Sequence, residues 1–178
     1  MIRLFVAIAL PEPVRQRLTM LCAGVPGARW AKPENMHLTL RFIGEVDGAT
    51  FTDIMDALGH VSVPRFPLQI DGVGQFGEKR RADLLWAGVR PHELLLRLQG
   101  KVENALQRLG FDPDPRKFHA HVTLGRLKGT PIERVASFLS GNGGFYLPPF
   151  EVSEYVLFSS FLSHGGAIYR AEATYRLG

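Results

Sequence analysis

The stretch "NMHLTLRFIGE" (residues 35–45) has the apolar alternation of a β-strand, yet it carries His37, Thr39 and Arg41 at alternate positions. A second stretch, "KFHAHVTLGR" (residues 117–126), repeats its core, so that His-Leu-Thr-Leu is followed 84 residues later by His-Val-Thr-Leu. Successive side chains of a strand point to opposite faces. Each stretch therefore predicts a strand with one apolar core face and one polar face that bears a histidine and a threonine.

The segments around these two strands predict helices and hairpins that are mixed together along the chain. Helical patterns of apolar residues cover residues 11–22, 51–58, 91–109 and 130–139. Strand patterns cover residues 3–9, 66–76, 83–89, 150–161 and 167–177. Because helices and strands do not alternate regularly, we expect an α+β fold of largely antiparallel sheets rather than a doubly wound parallel one. The two motif strands, each followed by a helix, indicate two similar halves.

Composition sets the class of protein. The chain has 178 residues, of which 46% are apolar, and this favours either one domain or two small, closely packed lobes within residues 1–178. The single cysteine, Cys22, excludes an intramolecular disulfide and favours a reducing compartment. No apolar run approaches a membrane span of about 20 residues. We therefore expect a soluble, cytoplasmic protein with no membrane partner, and we expect it to be a monomer.

The charge balance favours an anionic partner. The formal net charge is +4 and the sequence pI is about 9.5. Arginine is the commoner cation, and its planar guanidinium binds phosphate through two parallel hydrogen bonds. Local clusters at residues 79–81 and 116–117 are equally compatible with solvated loops.

Two other patterns suggest chemistry that we consider less well supported. Gly72, Gly74 and Gly77 spell G-x-G-x-x-G, but a charged turn and an apolar strand follow them, so a hairpin explains them better than a nucleotide-binding loop. His119 and His121 would share one face of a strand and could hold a metal ion. A third ligand at suitable spacing is missing, so a metal remains possible but is not needed.

The paired motif suits phosphate chemistry. With unperturbed pKa values near 6.5, two histidines can divide the work at neutral pH, one neutral as a general base and one protonated as a general acid. The two threonine hydroxyls can donate hydrogen bonds to phosphate oxygens. A single H-x-T would be unremarkable by chance, but two copies on amphipathic strands favour a site over coincidence.

The sequence resembles the bacterial and archaeal RNA 2′,3′-cyclic phosphodiesterases, formerly called 2′-5′ RNA ligases, of the two-histidine phosphoesterase superfamily. The resemblance covers nearly the whole chain, including "RLFVAIALP", "WAKPENMHLTLRFIGEV" and "LFSSFLSHGGAIY". The family motifs H-x-T-x-x-F and H-x-T-x-x-R are both complete, in residues 37–42 and 121–126. This resemblance implies two lobes of antiparallel sheet with flanking helices around a central cleft.

The resemblance also implies a role for each motif residue. His37 would be the proton donor to the departing ribose O3′, and His121 the proton acceptor that activates water, giving a 2′-phosphomonoester. The substrate would be an RNA 3′ end or a small nucleotide with a 2′,3′-cyclic phosphate, hydrolysed without metal or other cofactor. The implied ligands of the phosphate and the base are Thr39, Thr123, Arg126 and Phe42.

Two questions stay open at this point. Strict alternation places Phe42 and Arg126 on the faces opposite His37 and His121, so both strands must bulge, twist or end before them. Gly125 makes a bulge easy in the second motif, whereas Phe42 is equally compatible with the core and with stacking on a base. A binding module without turnover and a 2′-5′ RNA ligase acting by the reverse reaction are the alternative functions.

Overall fold

The structure, a computed structural model, describes residues 1–178 and contains ten strands and four α-helices. The strands are β1 (Ile2–Ala9), β2 (Ala28–Trp30), β3 (His37–Val46), β4 (Phe66–Leu68), β5 (Ile70–Glu78), β6 (Arg81–Val89), β7 (His121–Leu127), β8 (Phe150–Val152), β9 (Glu154–Ser163) and β10 (Gly166–Arg176). The helices are α1 (Glu12–Thr19), α2 (Gly48–Gly59), α3 (Glu93–Arg108) and α4 (Ile132–Gly141). None of the helices is long and apolar enough to cross a membrane.

The principal sheet consists of two antiparallel halves joined at the motif strands. Its strand order is β10-β9-β1-β3-β7-β6-β5, with β2 paired to β7. Strands β3 and β7 share one registered pair, Leu38 with Val122, and β2 then takes the edge of β7 from residue 125 onward. The expected α+β fold with antiparallel sheets is confirmed. The two lobes meet as one sheet that is narrowest between the two motif strands.

The core lies on one face of this sheet, beneath the helices. Helix α3 contributes Leu98, Val102 and Leu106, which are fully buried at intervals of four residues. They pack in one apolar cluster of 34 residues with the inward-facing side chains of the strands. Burial at this spacing is what the helical pattern of residues 91–109 predicts. The opposite face of the sheet is therefore left free of helices and of core.

Three parts of the chain differ from the sequence prediction. Residues 66–76 and 150–161 each read as one strand, but each is divided between the principal sheet and a small second sheet of β4 and β8. The short strand β2 was not predicted. Three-residue strands leave too little alternation to detect, and a continuous apolar run does not reveal where the chain passes from one sheet to another.

The G-x-G-x-x-G pattern belongs to the hairpin of β5 and β6, as predicted. Gly72 and Gly77 have positive φ angles of 77° and 135°. Residues that carry a Cβ rarely adopt this region of backbone conformation. Gly74 lies beneath the ring of Trp86, where an added Cβ would come within 2.2 Å of the indole. These glycines therefore serve backbone geometry and close packing, and no helix follows them.

Candidate active site

The paired motif lies on the face of the sheet that carries no helices. Leu38 and Val122 are register partners and both are fully buried in the core. Because side chains alternate along a strand, the residues on either side of each partner point to the opposite face. That face carries four partly buried polar residues: His37, Thr39, His121 and Thr123.

Both imidazoles are oriented by the same backbone device. Nδ1 of His37 lies 2.6 Å from the carbonyl oxygen of Asn35, and Nδ1 of His121 lies 2.6 Å from that of His119. A carbonyl oxygen only accepts hydrogen bonds, so Nδ1 carries a proton and donates in both residues. In the neutral form, Nε2 is then the free base. The geometry thus makes Nε2 the ring nitrogen of each histidine that can exchange a proton with a substrate.

The two Nε2 atoms differ in their hydrogen bonding. Nε2 of His37 lies 2.9 Å from Oγ1 of Thr39, within the same motif. In neutral His37 this nitrogen accepts from the hydroxyl, and in the protonated form it donates to the hydroxyl oxygen. Nε2 of His121 makes no corresponding bond to Thr123 and is left available.

Burial favours the neutral form of both histidines. Burial is the largest effect on His37 and lowers its pKa, and the nearby His121 lowers it further, against a smaller opposing effect of the Asn35 carbonyl. Burial also lowers the pKa of His121, with smaller lowering effects from His119 and Arg116 and an opposing effect of the His119 carbonyl. The effect of His121 on the pKa of His37 places the two rings in one electrostatic site.

Aromatic rings surround each histidine, and the motif did not reveal them. The His37 ring centroid lies 4.8 Å from that of Phe5 and 5.3 Å from that of Tyr169, which meets it edge-on. The His121 ring meets Phe76 edge-on at 4.9 Å, with Trp86 at 6.3 Å. Phe5 alternates with the core residues of β1, and that alternation is the one sequence signal that could have placed it on this face.

A bulge in each motif strand brings the last motif residue to the polar face. Val6 and Ala7 are neighbours on β1, but their register partners on β3 are Arg41 and Thr39. Leu40 is therefore an extra residue of β3 without a partner. In β7 the same shift in register leaves Leu124 as the extra residue, at the equivalent position of the second motif. A bulge shifts the following side chains to the other face.

As a result, Phe42 and Arg126 are both exposed on the side of the histidines. Phe42 is 59% exposed, and its ring lies 5.8 Å from that of Phe5. The core alternative for Phe42 is therefore wrong. Arg126 forms no ion pair with an acidic side chain, so its guanidinium is free to bind an anion.

The same bulge removes Arg41 from the face on which alternation had placed it. Arg41 is buried and pairs with Glu103 of α3 through Nη1. Its Nε donates to the Phe42 carbonyl at 3.0 Å, and its Nη2 donates to the Asp112 carbonyl at 2.7 Å. The backbone N–H of Asp114 also donates to Glu103 at 3.1 Å. Arg41 therefore joins the bulge of the first motif to the loop that leads into the second.

His119 lies beside the site but belongs to no cluster of metal ligands. Its ring centroid is 6.1 Å from that of His121 and 5.0 Å from that of Trp86. No group of three or more histidine, cysteine, aspartate or glutamate side chains in residues 1–178 is arranged to hold a metal ion. The contacts of His119 are therefore with the aromatic rings and the neighbouring motif histidine.

Comparison with known proteins identifies the family. The family model described as "LigT like Phosphoesterase" matches residues 8–86 and 89–169. The chain belongs to the LigT-like phosphoesterases. Two curated relatives named RNA 2′,3′-cyclic phosphodiesterase are similar to it over most of their length. The Archaeoglobus fulgidus protein is 33% identical, with 94% of this chain and 96% of the relative covered, and the Aeropyrum pernix protein is 35% identical, with 88% and 89% covered.

Solved structures of this family share the fold. The crystal structure of E. coli LigT complexed with 3′-AMP superposes with a TM-score of 0.78 at 26% sequence identity, covering 99% of this chain and 98% of that one. The LigT-like phosphoesterase fold thus accounts for 99% of the chain, including both motif strands.

Proposed function

We propose that this LigT-like phosphoesterase hydrolyses RNA 2′,3′-cyclic phosphate ends to 2′-phosphomonoesters. The observation that carries the proposal is the pair of histidines with Nδ1 fixed by a backbone carbonyl and Nε2 directed to one face, free in His121 and bonded to the Thr39 hydroxyl in His37. The names of the two curated relatives support the same substrate class. Two imidazoles and two hydroxyls supply the groups needed to transfer protons around a phosphate.

In the proposed reaction, water attacks phosphorus and the bond from phosphorus to O3′ breaks. Nε2 of His121 takes a proton from the attacking water, and protonated Nε2 of His37 gives one to the departing O3′. The 2′ oxygen keeps the phosphate. Proton gain at one imidazole matches proton loss at the other, and exchange with solvent restores both before the next turnover.

The remaining motif residues bind the substrate in this proposal. Thr39 and Thr123 donate to the nonbridging oxygens, and the guanidinium of Arg126 stabilises the charge that develops on them. Thr39 lies within hydrogen-bond distance of His37, so it also orients that ring. The exposed ring of Phe42 stacks on the terminal base. We further propose that the protein acts as a cytoplasmic monomer and uses no metal ion.

A product assay tests the proposal. An oligoribonucleotide with a 2′,3′-cyclic phosphate should be converted to a product that carries its phosphate on the 2′ oxygen, and the rate should persist in excess chelator. Retention of the substrate without hydrolysis would favour the binding module instead. A 3′-phosphate product would contradict the assignment of O3′ as the leaving group, and joining of a 5′-hydroxyl end would favour the ligase.

A further inference from the structure

Two arginines stand side by side at the edge of the active site. Arg29 of β2 is the register partner of Arg126 of β7, and both side chains are exposed. Directly paired residues of antiparallel strands point to the same face, with Cβ atoms about 4.5–5.5 Å apart, and like charges in this position destabilise the pairing. Neither arginine has an acidic partner that would offset the repulsion. A bound anion would relieve it.

The position of Arg29 is fixed by its strand. The N–H of Ala31 donates to the Leu124 carbonyl at 2.8 Å, and the N–H of Lys128 donates to the Gly27 carbonyl at 3.1 Å, so the backbone is anchored on both sides of Arg29. Between these bonds the indole of Trp30 packs so closely on β7 that a Cβ at residue 125 would lie 2.8 Å from it. Arg29 is therefore held beside Arg126 by regular structure.

The two arginines extend the polar face beyond the motif. Along β7 the residues of this face are His121, Thr123 and, after the bulge, Arg126. Strand β2 continues the line of β3 along the same edge of β7, so Arg29 lies past the end of the two motifs. An RNA strand carries one phosphate for every nucleotide. If one phosphate of the RNA binds to the histidines and Arg126, Arg29 is thus placed to bind the next phosphate of the strand.

We propose that Arg29 forms a second phosphate subsite, which binds the phosphodiester joining the terminal nucleotide of the substrate to the preceding nucleotide. The preferred substrate is then the end of an RNA oligonucleotide rather than a free cyclic nucleotide. This inference rests on the proposed function of the same site. Arginine suits the task because its planar group makes two parallel hydrogen bonds to phosphate oxygens.

The test compares a ribonucleoside 2′,3′-cyclic phosphate with a dinucleotide that ends in the same cyclic phosphate. In the parent enzyme, kcat/KM should be higher for the dinucleotide. In Arg29→Gln the ratio of the two kcat/KM values should fall about tenfold, the lower end of what a hydrogen bond to a charged group contributes. The loss should lie in KM. Arg29→Lys should retain part of the ratio, and Arg17→Gln, which removes an exposed arginine of α1, should leave the ratio unchanged.

Salt dependence gives a second readout that a general loss of structure would not reproduce. For a single strand, each phosphate contact contributes a slope of about −0.7 to the plot of log affinity against log salt. Arg29→Gln should therefore flatten the slope by about this amount for a long single-stranded RNA that ends in the same cyclic phosphate, because only a long strand carries the counterions that binding releases. Equal losses on both substrates, an unchanged ratio, or an unchanged slope would each overturn the second subsite.

Binding to a doubly substituted protein separates this proposal from the proposed function. The affinities of the mononucleotide and the dinucleotide are measured in His37→Ala/His121→Ala, with and without Arg29→Gln, where neither ligand should be consumed. A dinucleotide preference that Arg29→Gln abolishes supports the subsite whatever the parent enzyme catalyses. Absence of hydrolysis by the parent enzyme would instead count against the proposed function alone.

Discussion

The active site consists of two half-sites, one around His37 and Thr39 and the other around His121 and Thr123. Both orient the histidine ring in the same way, but the residues that surround the ring differ. Each Nδ1 lies 2.6 Å from the carbonyl oxygen two residues earlier. His37, however, is bonded to Thr39 and packs against Phe5, whereas His121 has a free Nε2 and meets Phe76, which is 36% exposed. The repeated backbone fixes where the nitrogen points, and the surroundings differ so that two like residues can take unlike roles.

The positions that follow each bulge differ in chemistry. Phe42 and Arg126 are equivalent in the two motifs, as are Arg41 and Gly125, all 84 residues apart. One half-site therefore presents an aromatic ring where the other presents a cation. Arg41 ties its strand to Glu103, while Gly125 admits the indole of Trp30. The two strands thus repeat the same backbone arrangement, and in the proposed function one of them contacts the base and the other the phosphate charge.

The largest expected effect comes from removing either histidine. His37→Ala and His121→Ala should each lower the rate on a cyclic-phosphate substrate by about 10²–10⁴-fold, the range for a lost general acid or base. The double variant should lose much less than the product of the two factors, because both residues act on one transition state. Steady-state kinetics with the folded variants provides the measurement.

The leaving group distinguishes the two half-sites. A nitrophenyl phosphodiester releases an anion that needs no proton, so it should partly rescue His37→Ala. It should not rescue His121→Ala, since water still requires its base. Equal rescue of both variants would contradict the division of roles, and rescue of His121→Ala alone would reverse it.

The next effect is on stability, at the position where one half-site has Arg41 and the other has Gly125. Arg41→Met leaves Glu103, whose side chain is 15% exposed, without its cation and should lower the free energy of unfolding by about 3 kcal/mol, the lower end of the range for a buried pair. Replacing both residues, as Arg41→Met/Glu103→Leu, should recover much of the loss because no buried charge remains. Urea unfolding measures both.

An exposed ion pair is the matched control for this prediction. Arg65 and Glu151 lie 3.4 Å apart, with side chains 51% and 63% exposed. Arg65→Met should change stability by no more than about 1 kcal/mol, as is usual for surface pairs. A loss at Arg41 no greater than the loss at Arg65 would show that the buried pair does not brace the bulge.

The first motif strand and its Arg41 also show what the sequence could and could not predict. The alternation of Leu38 and Leu40 with His37 and Thr39 identifies the strand, its core face and its polar face. It does not reveal that Leu40 is an extra residue, because a bulge depends on the register of the neighbouring strand. Strict alternation therefore put Arg41 on the polar face, whereas the structure buries it.

Residues that reach the site from distant parts of the chain were also beyond the sequence. Tyr169 and Trp86 face the histidines only because β10 and β6 take particular places in the sheet order. Arg29 belongs to a three-residue strand that has too few positions to show a period. Strand order is set by pairing between distant parts of the chain, which a local pattern of side chains does not encode.

A smaller effect is expected from the ring of Phe42. Phe42→Leu keeps an apolar residue but loses the stacking surface, so KM should rise by a factor that corresponds to roughly 1–3 kcal/mol per base. The value of kcat should change little, because the ring is remote from the proton transfers. Phe161→Leu replaces another exposed phenylalanine, 44% exposed on β9, and should leave KM unchanged. A fall in kcat with constant KM would assign Phe42 to positioning of the motif instead.

The smallest expected effect is the uptake of a fraction of a proton when an anion binds. Burial lowers the pKa of both histidines, so the free protein holds them neutral at pH values where an exposed histidine would be partly charged. The proposed acid, His37, thus lies where its protonated form is disfavoured. An anion beside the ring reverses this preference, because it stabilises the imidazolium and raises its pKa. The substrate phosphate would then favour protonation of His37, the residue that is proposed to protonate the leaving group.

Sulfate is a suitable probe of this effect, since it does not titrate near neutral pH. At about pH 6.5, near the unperturbed pKa of histidine, calorimetric titration in buffers of different ionisation enthalpy should show less than one proton taken up for each sulfate bound. The uptake should persist in His121→Ala and disappear in His37→Ala, because His37 is the residue that must be charged in the complex. Uptake lost only in His121→Ala would move the acid to the other half-site. Proton release, or none exchanged, would mean that the anion does not bind between the two rings.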